Sequence, residues 1–166
     1  MNELKTSQHR YTAAVLLNDL PIGAHFKPSE LHITVLQWFA LETDEGLFLN
    51  WFYEHFAHLP AFDATAGERA LFGLKKDVPV SILEPQEKFM ELHKLALSWF
   101  GAMGARWAEK DPYVGDDYIP HIAQRHGYVI EQNQIIHIAS LSLFKASRDK
   151  DDVRLVAAKA IFDEQG

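Results

Sequence analysis

The order of its apolar segments constrains this chain more than any other feature. Two strand-like runs precede an amphipathic helical stretch, the same order recurs, and three more strand-like runs follow. Residues 11–18 (YTAAVLLN) are apolar and bounded by Asp19 and Pro21, which reads as a strand. Residues 21–30 contain Gly23 and Pro28 and read as a connection. Residues 31–39 (LHITVLQWF) are rich in β-branched and aromatic side chains and predict a second strand. Thr43 or Asp44 then caps a helix running to about residue 59, where Pro60 stops it. Leu47, Phe48, Trp51, Phe52 and Phe56 recur along it at helical spacing. Residues 62–73, with Gly67 marking a bulge or turn, and residues 78–83 predict the next two strands. Residues 86–100 predict a second amphipathic helix, with Phe89, Leu92, Leu95, Ala96 and Phe100 on one face and Gly101 and Gly104 at its end. Beyond the long polar loop 110–117, strands are expected at 118–125, 135–144 and 153–162, the last two joined by a hairpin turn at 147–152. The sum is β-β-α-β-β-α-β-β-β, an α+β pattern and not a regular α/β alternation. Because each helix is followed by returning strands, two similar halves are expected.

The chain's 166 residues suit a single domain, 1–166, of two small lobes sharing a core. That length buries roughly 70% of the surface the unfolded chain exposes, so no disulfide or metal staple is needed. With 48% hydrophobic and 23% charged residues, wholesale disorder is excluded. The absence of cysteine removes disulfides, thiolate nucleophiles and Cys-ligated metals together. A net charge of −7 argues against long duplex nucleic acid, whose binding surfaces are basic, but leaves room for a local site holding one or two phosphates. No apolar run approaches the ~18 residues that span a bilayer. Residues 1–10 are polar and lack an apolar signal core. A cytoplasmic, soluble, monomeric protein is the expectation.

Nine histidines are present, and three of them, His32, His121 and His137, fall in expected strands. Strand residues i, i+2 and i+4 share a face, so His32 points with Thr34, and His121 points with Ala123 and Arg125. A histidine beside a hydroxyl on one sheet face suits phosphoryl chemistry. Imidazole gives and takes protons near neutrality, and the hydroxyl donates to a phosphate oxygen. Two such strands across a groove would set a base at the attacking oxygen and an acid at the leaving oxygen, with no metal and no covalent intermediate. From the residues alone, a partly buried, hydrogen-bonded strand histidine is the more common role for His32.

Leu31-His32-Ile33-Thr34-Val35 and Tyr118-Ile119-Pro120-His121-Ile122-Ala123 resemble the paired motifs of the two-histidine (2H) phosphoesterase superfamily, in the style of its 2′-5′ RNA ligase-like and cyclic nucleotide phosphodiesterase members. The spacing between the motifs fits, and residues 62–85 and 135–147 are similar to the family's middle segment and later strand, so the resemblance covers about residues 11–162. It implies two pseudo-symmetric lobes, each an antiparallel sheet with an outer helix, around a central groove lined by His32 and His121. It also implies metal-independent phosphodiester hydrolysis of a small nucleotide or RNA end: a 2′,3′-cyclic phosphate, or a 2′-5′-linked or cyclic oligonucleotide. No cofactor is implied. His32 and His121 are the expected catalytic pair.

The family's second motif normally ends in Thr or Ser, where this chain has Ala123. Alanine donates no hydrogen bond, so Thr34 is the expected phosphate-binding hydroxyl and Arg125 the compensating donor. Two alternatives remain open: a nucleotide- or RNA-binding module of the same fold that turns over weakly, and a structural protein with incidental histidines. His137-Ile138-Ala139-Ser140 competes as a second motif but lacks the preceding proline. Phe26, Tyr113 and Tyr118 flank the motifs and are the candidates to stack on a base, whereas Trp38, Trp51, Phe52 and Phe56 are expected in the core. Tyr11 is expected to line the groove. His55 and His58 have helical metal spacing, but no carboxylate completes a set, and His93 is expected at the surface.

Overall fold

A computed structural model describes residues 9–27, 30–107, 114–124, 130–147 and 153–164. Its elements in chain order are β1 (His9–Leu16), β2 (His25–Phe26), β3 (His32–Leu41), α1 (Glu45–Phe56), β4 (Phe62–Phe72), β5 (Val78–Glu84), α2 (Gln86–Ala102) and β6 (Ala105–Trp107). A 3-10 turn (Gly115–Asp117) then leads to β7 (His121–Ala123), β8 (Ile135–Ile138), β9 (Ser140–Ser147) and β10 (Arg154–Ile161). The class is α+β, a strongly curled antiparallel sheet with two helices.

Among the described residues the strands form one sheet, ordered β2-β10-β9-β1-β3-β7-β5-β4-β8, with β6 paired to β3 off this path. The two halves therefore do not carry separate sheets. They meet where β3 pairs with β7 at Ile33 and Ile122. Both residues are buried, so the residues flanking them in each strand turn to the opposite face.

Each helix forms for reasons visible in its sequence. The Asp44 carboxylate caps α1 by accepting from the Leu47 N–H at 3.1 Å. Phe48, Phe52 and Phe56, spaced by four, make a fully buried stripe. Leu47 lies outside this stripe and is half exposed, so the buried face is narrower than the spacing suggested. The helix stops at Phe56, ahead of Pro60, because His58 takes a positive φ of 73° and its N–H bonds the Ile161 carbonyl instead. On α2, Phe89, Leu92, Ala96 and Phe100 are buried as expected. The Phe100 ring meets Phe39, Phe48, Phe52 and Phe56 at centroid distances of 5.2–6.0 Å, which locks the two helices and β3 into one core. Each such side chain contributes about 1.5–3 kcal/mol of burial. Gly104 ends the turn after α2 at φ 100°, with Thr43 within 3.0 Å of where a Cβ would stand.

Three departures from the sequence expectation matter. The strand expected at 135–144 is two strands, broken at Ala139: β8 pairs with β4 and β9 pairs with β1, so the chain crosses from one half of the sheet to the other. Of the strand expected at 118–125, the described residues form a strand over His121–Ala123. Finally, β3 carries two register shifts against β1, between Phe39 and Leu36 and between Leu36 and Thr34. These bulges reset the inward–outward alternation of β3. Gly67 sits in a further bulge, where β4 slips against β5 between Ala66 and Arg69, as its sequence position suggested. Most of the turn expected at 147–152 lies outside the described residues.

Candidate active site

Antiparallel pairing about Ile33 and Ile122 gives the two motifs a local two-fold relation. Continuing that register by one residue in each direction sets His32 across from Ala123 and Thr34 across from His121. All four side chains line the same pocket, a cavity of about 180 Å³. The sequence-expected pair of histidines is thus brought together with Thr34, on one face of two adjoining strands.

The two imidazoles are held alike. His32 Nδ1 lies 2.9 Å from the Glu30 carbonyl, and His121 Nδ1 lies 2.7 Å from the Ile119 carbonyl. In both cases the partner is the carbonyl two residues back. A carbonyl only accepts, so each Nδ1 carries a proton. Each ring also meets a phenylalanine edge to face: Phe144 at 6.1 Å for His32 and Phe72 at 4.7 Å for His121. Each ring is thus held by a polar and an apolar neighbour of matching kind.

A buried post supports this arrangement from below. The Tyr118 hydroxyl donates to the Thr34 carbonyl at 2.7 Å, and burial pushes its pKa well up. Its ring stacks on His93 at 4.1 Å with the planes 4° apart. His93, expected at the surface, is fully buried. Its Nδ1 donates to the Val35 carbonyl at 2.6 Å and its Nε2 accepts from the Gly115 N–H at 2.8 Å. That pattern needs a neutral ring protonated on Nδ1. His93 and Tyr118 therefore tie motif one to the segment leading into motif two. A Tyr118 ring that is buried and covered by His93 has little face left for a base, so its fit is to positioning and not to stacking.

The remaining expectations divide. Phe26 lines the pocket and packs edge to face on Phe144 at 4.7 Å. Arg125 and Tyr113 lie outside the described residues. Tyr11 points away from the groove into the core, stacked on Phe39 at 5.8 Å, with its hydroxyl on Glu45. Its neighbour Thr12 lines the pocket in its place. The inward–outward phase of β1 is thus opposite to the one expected. His137 sits in β8, an end strand of the sheet, and not in the pocket. Its ring nitrogens contact Asp63 at 2.7 Å and Glu164 at 2.8 Å. Those carboxylates, Glu164 foremost, raise its pKa. His55 bonds the Trp51 carbonyl at 2.8 Å and packs on Trp99, while His58 pairs with Asp163 at 2.8 Å.

Sequence reasoning missed Gln37, Trp38 and Arg154, all of which line the pocket. Simple alternation from His32 through Thr34 leads next to Leu36, which is buried. The bulges instead turn both Gln37 and Trp38 toward the pocket, and Trp38 takes a φ of 27° to do so. Trp38 is accordingly a groove residue, not the core residue expected. The guanidiniums of Arg10 and Arg154 lie over its ring, at 4.3 and 4.8 Å from the centroid. A second concavity of about 190 Å³ adjoins the first, shares Thr34, Gln37, His121 and Ala123 with it, and is walled by Phe72, Val78, Val80 and Tyr118.

No protein-family model and no curated protein sequence matches the chain. Solved structures do resemble it. LigT of E. coli in complex with 3′-AMP superposes with a TM-score of 0.60 at 14% identity, covering 94% of this chain and 98% of that one. TT0787 of Thermus thermophilus superposes with a TM-score of 0.62 at 17% identity, covering 95% and 100%. A protein described as a phosphoesterase gives 0.58 at 15% identity, covering 93% and 98%. At these identities the likeness is one of fold, and it extends over nearly the whole chain.

Proposed function

Starting from this LigT-like fold, we propose that the chain hydrolyses a phosphodiester in a small nucleotide or RNA end: a 2′,3′-cyclic phosphate, or a 2′-5′-linked or cyclic oligonucleotide. The observation that carries this reading is the matched pair of imidazoles, each held through Nδ1 by the carbonyl two residues back, on one wall of one pocket. Crystal structures of LigT hold 3′-AMP, ATP and NADP+, and small nucleotides of that kind are the ligand class proposed here.

In this mechanism one Nε2 is neutral and takes a proton from the attacking water. The other is protonated and gives its proton to the leaving ribose oxygen. Phosphorus lies between them, and the Thr34 hydroxyl donates to a non-bridging oxygen as charge builds there. Arg125, two residues beyond Ala123, is the proposed second donor. Phe26 and Tyr113 are the proposed stacking surfaces for the base, and Tyr118 is assigned to holding the Thr34 strand. The reaction proceeds without a metal ion, in a monomeric cytoplasmic protein.

A second reading follows from one residue. Ala123 stands across from His32 where the pseudo-symmetric partner of Thr34 would stand, so the protein binds a nucleotide and turns it over weakly. One experiment separates the two: an EDTA-treated assay over cyclic-phosphate and oligonucleotide substrates, with His32→Ala and His121→Ala as controls. Hydrolysis in EDTA that is lost in both variants supports the enzyme. Nucleotide binding without turnover supports the binding module. Activity that persists in both variants, or that vanishes with the metal, rejects the mechanism.

A further inference from the structure

We infer that the groove has a second anion-binding subsite, built on Arg10, Trp38 and Arg154, which takes a phosphate other than the one at the histidines. This rests on the reading of the groove as a nucleotide site and assigns the ligand a second phosphate group. Arg154 and Trp38 line the pocket itself, and Arg10 carries the cluster out to the rim along β1. Arg10 and Thr12 are two apart on β1 and share the face that Thr12 turns to the pocket.

The β3 bulges are what build the subsite. They bring the indole to the groove face, where it aligns two guanidiniums that come from opposite ends of the chain. Each guanidinium carbon lies over the indole ring, and a guanidinium carries its N–H donors in the planar fork that matches a phosphate. In a chain of net charge −7, two guanidiniums over one ring bring positive charge together at the groove. Glu30 lines the same pocket, and its carboxylate accepts from Asn18 Nδ2 at 3.0 Å.

Three residues of β3 lie between Thr34 and Trp38, on the order of 10 Å of strand. We therefore assign the two places to two phosphates of one ligand. The ligand class is a nucleotide with phosphates on two different sugar positions, or a short oligonucleotide that reaches past the scissile bond. The added charge–charge contact corresponds to about a tenfold gain in affinity.

The test compares adenosine 2′-monophosphate with adenosine 2′,5′-bisphosphate by calorimetric titration of the full chain. The wild type is expected to prefer the bisphosphate by about tenfold, and the preference shrinks as salt is raised. Arg10→Gln brings the ratio to about one, while Arg10→Lys keeps part of it because the charge remains and the fork is lost. Equal affinity for the two nucleotides in the wild type, or a preference that survives Arg10→Gln, overturns the subsite and leaves the nucleotide groove standing. Failure of both nucleotides to bind removes the proposed function and the subsite with it.

Discussion

At the residue scale, Ala123 is the most informative position. Its methyl group, on β7, lies across from His32 of β3, at the place where a hydroxyl would complete a symmetric pair with Thr34. Ala123→Thr is expected to raise kcat/KM on the order of a hundredfold, the inverse of losing one donor to a developing oxyanion. Steady-state kinetics on the best substrate of the panel checks this, and an unchanged value means the hydroxyl position is not part of the reacting site. Tyr118 makes the complementary case. Tyr118→Phe leaves the ring in place on His93 but removes the donor to the Thr34 carbonyl. A buried acceptor left unsatisfied costs about 1–3 kcal/mol, which urea denaturation would register. Because Thr34 is displaced with its carbonyl, kcat should fall more than stability alone explains. A variant that is less stable yet catalytically normal would make Tyr118 structural only.

At the element scale, β3 does most to set the site. It pairs with β1, β6 and β7, and α2 packs on it. Its regular first part presents His32 and Thr34, and its bulged second part presents Gln37 and Trp38. The helices hold β3 from the opposite face through Phe39 and the Phe100 cluster. Gly104 governs how α2 returns to β6 and hence to β3. Gly104→Ala places a methyl group 3.0 Å from the Thr43 Cβ, in a left-handed backbone that alanine disfavours. The expected loss is about 1–3 kcal/mol, seen as a lower Tm in a thermal melt. An unaltered Tm would show that the α2–β6 turn relaxes freely. Sequence reasoning located both helices and the strand that carries His32 and Thr34 because apolar periodicity is local. It missed the bulges because a register shift depends on which partner strand lies alongside and leaves no mark in the spacing of β3 itself. Gly67 was the exception, since a glycine inside a strand signals a bulge directly.

At the scale of the whole molecule, pH acts in two separable ways. The proposed mechanism needs one charged and one neutral imidazole, so kcat/KM should follow a bell in pH, and His32→Ala or His121→Ala should abolish it. Stability responds elsewhere. His137 joins β8 to Asp63 of β4 and to Glu164 near the end of the described chain, and these carboxylates raise its pKa. Protonated His137 is thus favoured in the folded state. Its contribution is fully present below the ordinary histidine pKa of about 6.5 and is lost as pH rises through the raised folded value. Glu45 has the opposite sign. Burial works against its charge, but hydrogen bonds from Tyr11 and Lys145 outweigh it and lower the pKa. Its contribution is present above the unfolded carboxylate pKa and lost as pH falls through the lowered value. Urea midpoints measured from acid to mildly alkaline pH should show the first effect vanish in His137→Gln while the second persists. A midpoint in His137→Gln that still declines above neutrality would assign that decline to another group.

The sequence by itself determined the α+β class, the two helices, the first motif with His32 and Thr34 on one face, and the presence of a second motif at His121. The class, the helices and the shared face of His32 and Thr34 rest on short-range periodicity, which neighbours a few positions apart already fix, whereas the motif at His121 was read from the family resemblance. Only the tertiary structure decided that both halves share one sheet, that His121 lies beside Thr34, and that His93 is a buried strut while His137 stands at the far end. It alone brought Arg10 and Arg154 over Trp38. The physical reason is that pairing register and bulges arise from contacts between strands distant in sequence. A one-residue slip there reverses which side chains face the groove.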